Sequence, residues 1–118
     1  MLARPHRLNA SRDIQHILKR GQVARAGHLK VYTLPNRLSI IRATTIISKK
    51  VDKRAVVRNR NRRRVNEIIR ELIPTLKPGF DILVYIQSDL EVLMPTALES
   101  EIQQCFKRAG MSKEGSGE

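Results

Sequence analysis

The sequence predicts an α+β domain, a two-layer sandwich of order α-β-β-α-β-α in which helices pack on a single sheet. Three observations carry that expectation. Apolar residues recur at helical spacing in three segments and in strand fashion in three others. The chain has 118 residues, which suits one domain. Its hydrophobic share of 41% closes one modest core and argues against wholesale disorder. One domain over residues 1–110 is expected, with the small, polar, Gly/Ser-rich stretch 111–118 as a disordered tail.

The first helix is expected at 11–20. Ser11 reads as its N-cap and Asp13 faces the positive end of the helix dipole. Ile14, Ile17 and Leu18 repeat at i, i+3, i+4, and Gly21 supplies the stop. Leu29 to Leu34 alternates like a strand and ends in Pro35-Asn36; Ser39 to Ile47 is a second strand, rich in Ile and Thr. These two are expected to pair as an antiparallel hairpin. The longest helix spans 54–72, with Val57, Val65, Ile68, Ile69 and Leu72 in one stripe and Arg60, Arg63 and Arg64 pointing away. Asn61 lies on the stripe's azimuth, which predicts that the first half of this helix is only half buried. Pro74 and Pro78-Gly79 end it. Phe80 to Ile86 is nearly all apolar, the pattern of a central strand. Pro95 opens a last helix whose Leu98, Ile102, Cys105, Phe106 and Ala109 share a face.

Composition excludes several classes. The one cysteine, Cys105, builds neither a disulfide framework nor a multi-thiolate zinc site, which points to a reducing compartment and a cytoplasmic protein. No apolar stretch approaches signal-peptide or bilayer-spanning length, so no membrane partner is expected. His6, His16 and His28 stand among Lys and Arg with no carboxylate at general-base spacing. Asp13, Asp52, Glu67, Asp81 and Asp89 fall in different elements, so no protein-borne two-metal site is expected. Cys105 beside Phe106 reads as a packed side chain rather than a nucleophile.

What remains is charge. Lys plus Arg is 23 against 11 acids, a formal +12, and the sequence pI is near 10.9. Residues 49–64 read KKVDKRAVVRNRNRRR, nine cations with only Asp52 opposing them. Such a cluster repels itself unless a polyanion neutralises it, and arginine's planar fork grips phosphate oxygens two at a time. The pattern suggests a helix anchored by its C-terminal half that presents its N-terminal half to a ligand. A helix-turn-helix DNA regulator fits badly, because the arginine helix is flanked by strands; DNA is not the expected partner.

Ser48-Lys49-Lys50 followed by Arg54-Ala55-Val56-Val57-Arg58-Asn59-Arg60 and Arg62-Arg63 resembles the bacterial ribonuclease P protein family, whose signature is an S-K-K strand end before an R-N-R-x-[KR]-R helix. Arg7-Leu8, Asp13 and Gly21 are similar to that family's opening helix, and His28 to Tyr32 to its first strand. Gly79-Phe80-Asp81 and Cys105 to Gly110 agree as well, so the resemblance covers residues 6–110.

The resemblance implies a protein subunit that assists a catalytic RNA in removing the 5′ leader of precursor tRNA, with Mg2+ held mainly by the RNA. It implies that Lys49, Lys50, Arg54, Arg58, Asn59, Arg60, Arg62 and Arg63 contact RNA. Ile14, Leu18 and Tyr32 would line a leader cleft between the first helix and the sheet, with Tyr32 as a stacking platform. It also implies a left-handed β-α-β crossover through the arginine helix, where handedness rules alone favour the right-handed form. The expected partners are ribonuclease P RNA and precursor tRNA. The charge of +12 argues against close packing of copies, so a monomer within the ribonucleoprotein is expected. The alternative is a structural RNA-binding protein of ribosomal type without a part in any reaction.

Three positions depart from the family pattern. Ile14 and Leu18 stand where aromatics are usual, Gln87-Ser88 where a basic pair is frequent, and Asn61 where an apolar residue is common. Stacking in the cleft then falls mainly to Tyr32. Alternation sets Tyr85 opposite Val84 and Ile86 but leaves open whether it lines the cleft or the core.

Overall fold

The computed structural model describes Leu8 and residues 11–111. Its elements are α1 (Ser11–Arg20), β1 (Gln22–Ala26), β2 (Leu29–Pro35), β3 (Arg42–Ile47), α2 (Ala55–Leu72), a 3-10 turn (Ile73–Thr75), β4 (Phe80–Ile86) and α3 (Pro95–Arg108). One strand more than expected is present. β1 carries little branched apolar bulk: its buried residues are Ala24 and Ala26, and the strand packs against α3.

The sheet order is β1-β2-β4-β3. The expected hairpin of β2 with β3 is therefore wrong: β2 pairs antiparallel with β1 and β4, and β3 pairs parallel with β4. The reason lies in β4. Ile82, Val84 and Ile86 are buried on one face and Leu83 on the other. A strand apolar on both faces gains most from the central place. Asn36, expected to close a hairpin, instead organises a longer passage. Its side-chain amide donates to the Ile40 carbonyl (3.2 Å) and to Asp81 (2.9 Å), and its oxygen accepts from the Leu38 amide. The chain returns from β3 to β4 through α2, the crossover that the resemblance implies.

Register divides the sheet into two faces. Ala24, Ala26, Leu29, Val31, Ala43, Ile82, Val84 and Ile86 face α2 and α3, and with Val65, Ile69, Ile102 and Phe106 most of them form the core. On the other face α1 packs against β2 and β4, which buries Ile17 and Leu83. The Arg42–Asp81 pair fixes this end. Arg42 Nε and Nη2 donate to the two Asp81 oxygens at 2.8 and 2.7 Å, and Asp13 of α1 lies 3.6 Å from Arg42 Nη1. Hydrogen bonding to Asp81 raises the Arg42 pKa further above its ordinary value, despite the opposing cost of burial.

Helix boundaries agree with periodicity to within a residue, though Ser11 is the first helical residue rather than the cap. Gly21 stops α1 by close approach: its amide donates to the Ile17 carbonyl at 2.8 Å, and a Cβ there would stand 2.6 Å from that oxygen. Met111, assigned to the tail from sequence, is buried in the core, and its carbonyl accepts from the Lys77 amide. The disorder expected for the rest of the tail, and the readings of His6 and Arg7, concern residues outside those described.

Candidate nucleic-acid interface

Two surfaces answer to the sequence expectations. The first is the sheet face that α1 leaves partly uncovered. Lys30 stands opposite Tyr85 in the register and Tyr32 opposite Leu83, which settles Tyr85 on the same face as Tyr32. Lys30 Nζ lies 5.3 Å from the Tyr32 ring centre and 5.2 Å from that of Tyr85, a cation held between two aromatic faces. Ile14 is half buried and Leu18 is 37% exposed on the helix that flanks this face. Three planar or cationic groups and an apolar helix edge thus share one surface, the combination that single-stranded nucleic acid uses for stacking and phosphate contact. Tyr85 could not be assigned from sequence, because its face depends on the β2–β4 register, whereas Lys30 shares the face of Tyr32 by strand alternation, a signal the sequence held.

The second surface is the start of α2 with the turn before it. Ile46 pairs with Tyr85, and from there the chain runs through Ser48 to exposed Lys49 and Lys50. Arg54, Asn59, Arg60 and Arg63 are exposed, and Arg58 and Arg62 are half buried. The cluster does not simply repel itself, because Asp52 within it pairs with Arg54 and folding brings the distant Glu91 to Arg60. Arg54 Nε and Nη2 reach Asp52 at 3.1 and 2.9 Å, and Arg60 Nε reaches Glu91 at 2.8 Å. Hydrogen bonds from Arg54, first from its side chain and then from its backbone amide, lower the Asp52 pKa to about 2. Arg58 Nη1 donates to the carbonyls of Asp52 (2.9 Å) and Lys53 (2.8 Å), and Arg62 donates to the Asn59 side-chain oxygen.

Two expectations for α2 need correction. Arg64 does not point away. Its guanidinium donates to the carbonyls of Leu90 (2.6 Å) and Leu93 (2.8 Å), a structural clamp on the loop after β4. Nor is the first half of α2 only half buried on its stripe: Val57 and Asn61 are both fully covered. Asn61 Nδ2 makes a long contact of 3.4 Å to Asp89, while Asn61 Oδ1 has no partner. His28 lies in the turn before β2, with Nδ1 3.1 Å from Glu101 of α3, and so ties the hairpin to that helix. Cys105 is buried, and desolvation pushes its thiol up to about 11.

An α+β domain that sets an arginine-rich helix beside a sheet face carrying two tyrosines and a lysine is an RNA-binding module. Residues 2–110 match the family model described as Ribonuclease P. A "Ribonuclease P protein component" of Cyanothece sp. is 36% identical over 120 residues, covering 88% of this chain and 86% of its own. One from Roseiflexus castenholzii is also 36% identical, covering 93% and 90%. Among solved structures, the RNase P protein of Thermotoga maritima in complex with 1-(4-fluorophenyl)-2-thiourea superposes with TM-score 0.79 at 27% identity, covering 86% of this chain and 98% of its own. A Staphylococcus aureus RNase P protein shares the fold with TM-score 0.82 at 23% identity, covering 92% and 98%. The chain belongs to the ribonuclease P protein family, the protein subunits of an RNA-based enzyme that cleaves tRNA precursors.

Proposed function

We propose that this subunit docks on the ribonuclease P RNA through Lys49, Lys50 and the exposed arginines of α2, and holds the 5′ leader of precursor tRNA on the open sheet face. The observation that carries the reading is the Tyr32–Lys30–Tyr85 surface beside α1. Tyr32 and Tyr85 offer base-stacking platforms, Lys30 meets the leader backbone, and Leu18 shields one edge. With Gln87-Ser88 in place of a basic pair, Lys30 is the cation that lies over both rings. Arg54 and Arg58 act chiefly by shaping the turn before α2, whereas Arg60, Arg62 and Arg63 meet phosphate.

Among the described residues no three His, Cys, Asp or Glu side chains gather into a group that could hold a metal ion. In this reading Mg2+ belongs to the RNA subunit. We place one copy in each ribonucleoprotein, in keeping with a +12 chain that repels itself, and the complex in the cytoplasm, in keeping with a single cysteine. Among the described residues no helix is long and apolar enough to cross a membrane.

The test is the affinity of the reconstituted holoenzyme for precursor and for mature tRNA. Tyr32→Ala should weaken precursor binding by about 1–3 kcal/mol and leave mature tRNA unaffected. Equal losses on both substrates would remove the leader from this face.

A further inference from the structure

The loop between β4 and α3 is held against α2 by contacts that do not involve Arg60. Arg64 clamps the carbonyls of Leu90 and Leu93, the Leu90 side chain is fully buried, and Asp89 accepts from the Glu91 amide (2.9 Å) while meeting Asn61 at 3.4 Å. A loop fixed in this way projects the Glu91 carboxylate onto the Arg60 guanidinium. Nε donates to Oε2 at 2.8 Å and Nη2 to Oε1 at 3.3 Å. This is the two-pronged approach by which a phosphate engages arginine. The pair is open to solvent, Arg60 at 51% and Glu91 at 35%, so a phosphate can reach it. No ion pair reaches Arg62 or Arg63 among the described residues.

We propose that Glu91 is a built-in competitor that occupies the phosphate-binding fork of Arg60 and lowers the affinity of any RNA that takes it. The inference rests on the RNA-binding reading of α2. An RNA that takes Arg60 displaces a carboxylate already in place and leaves that charge beside its own phosphate. A polyanion held by few other contacts gains nothing from the exchange. An RNA anchored at Lys49, Lys50, Arg62 and Arg63 at the same time meets the cost. Glu91 therefore lowers affinity for every RNA that meets Arg60, and its cost to the multiply anchored RNA, which completes the exchange, is at least as large as its cost to a weakly held one.

The experiment measures affinity for poly-uridine and for a bacterial ribonuclease P RNA over a salt series, with Glu91→Gln, which keeps the backbone contact to Asp89. Poly-uridine binding should tighten about two- to fivefold at low salt, the range an exposed ion pair spans. Its log–log salt slope should steepen by up to about one, the increment of one phosphate contact. The effect on ribonuclease P RNA should be at least as large, and in an Arg60→Ala background Glu91→Gln should do nothing. An unchanged affinity for both RNAs, a shift confined to poly-uridine, or the same shift without Arg60 would each overturn the proposal. Arg62→Ala/Arg63→Ala separates the two levels. If it leaves the salt slope unchanged, the α2 reading fails; if it flattens the slope while Glu91→Gln is silent, only the role of Glu91 fails.

Discussion

Asn61 sits on the α2 stripe between Val57 and Val65, fully buried, with one oxygen that meets no donor. An unpaired buried carbonyl-type oxygen forfeits its hydration without recompense, and the 3.4 Å contact to Asp89 returns little. Leucine has the same branching and no polar atom. Asn61→Leu should therefore raise unfolding stability by about 1 kcal/mol, read from the urea midpoint at constant m-value. A loss instead would show that the Asp89 contact holds the 87–94 loop in place. The same scale explains Cys105. Its thiol, pushed up to about 11 by desolvation, should resist alkylation at neutral pH until the protein unfolds.

At the scale of elements, the start of α2 is a small ionic cap. Asp52 receives the Arg54 backbone amide at 2.8 Å and its guanidinium, while Arg58 closes over the Asp52 and Lys53 carbonyls. Because the Asp52 carboxyl is lowered in the fold to about 2, its contribution is complete above the ordinary aspartate range and fades as pH falls toward 2. An NMR titration should find Asp52 near that value and should find it returned toward the ordinary range in Arg54→Ala. An ordinary value in the parent protein would free Arg54 for RNA. Sequence reading reached these elements unevenly, for physical reasons. α1, α2, α3 and β4 follow from local periodicity and from proline and glycine stops, which need no knowledge of partners. β1 escaped because Gln22, Arg25 and two alanines carry almost no strand signal. The supposed β2–β3 hairpin failed because pairing is non-local, and the doubly buried β4 displaced β3 from that neighbour. The site divides in the same way. The arginine cluster and Tyr32 stand out in the sequence and strand alternation places Lys30 beside Tyr32, whereas Tyr85 needed the register, and Glu91 meets Arg60 across 31 positions.

Over the whole molecule, β4 is the member on which both sheet faces depend. It carries Ile82, Val84 and Ile86 into the core and Leu83 under α1, and it pairs with β2 on one side and β3 on the other. Neither the core nor the open face that bears Tyr32 and Tyr85 can form without it. The recognition surface therefore belongs to the same cooperative unit as the core. Val84→Ala, a truncation with no polar change at a fully buried central position, should destabilise by about 2 kcal/mol. With no tryptophan in the chain, emission comes from Tyr32 and Tyr85, which report on the open face. Circular dichroism at 222 nm reports on the helices, most of which pack on the core side. In Val84→Ala the two midpoints should move together, because a change on the core face of β4 reaches the opposite face only through the shared strand. If tyrosine emission changes at lower urea than the helical signal, the open face and α1 form a separately unfolding layer, and leader binding would then draw on local order rather than on the stability of the whole domain.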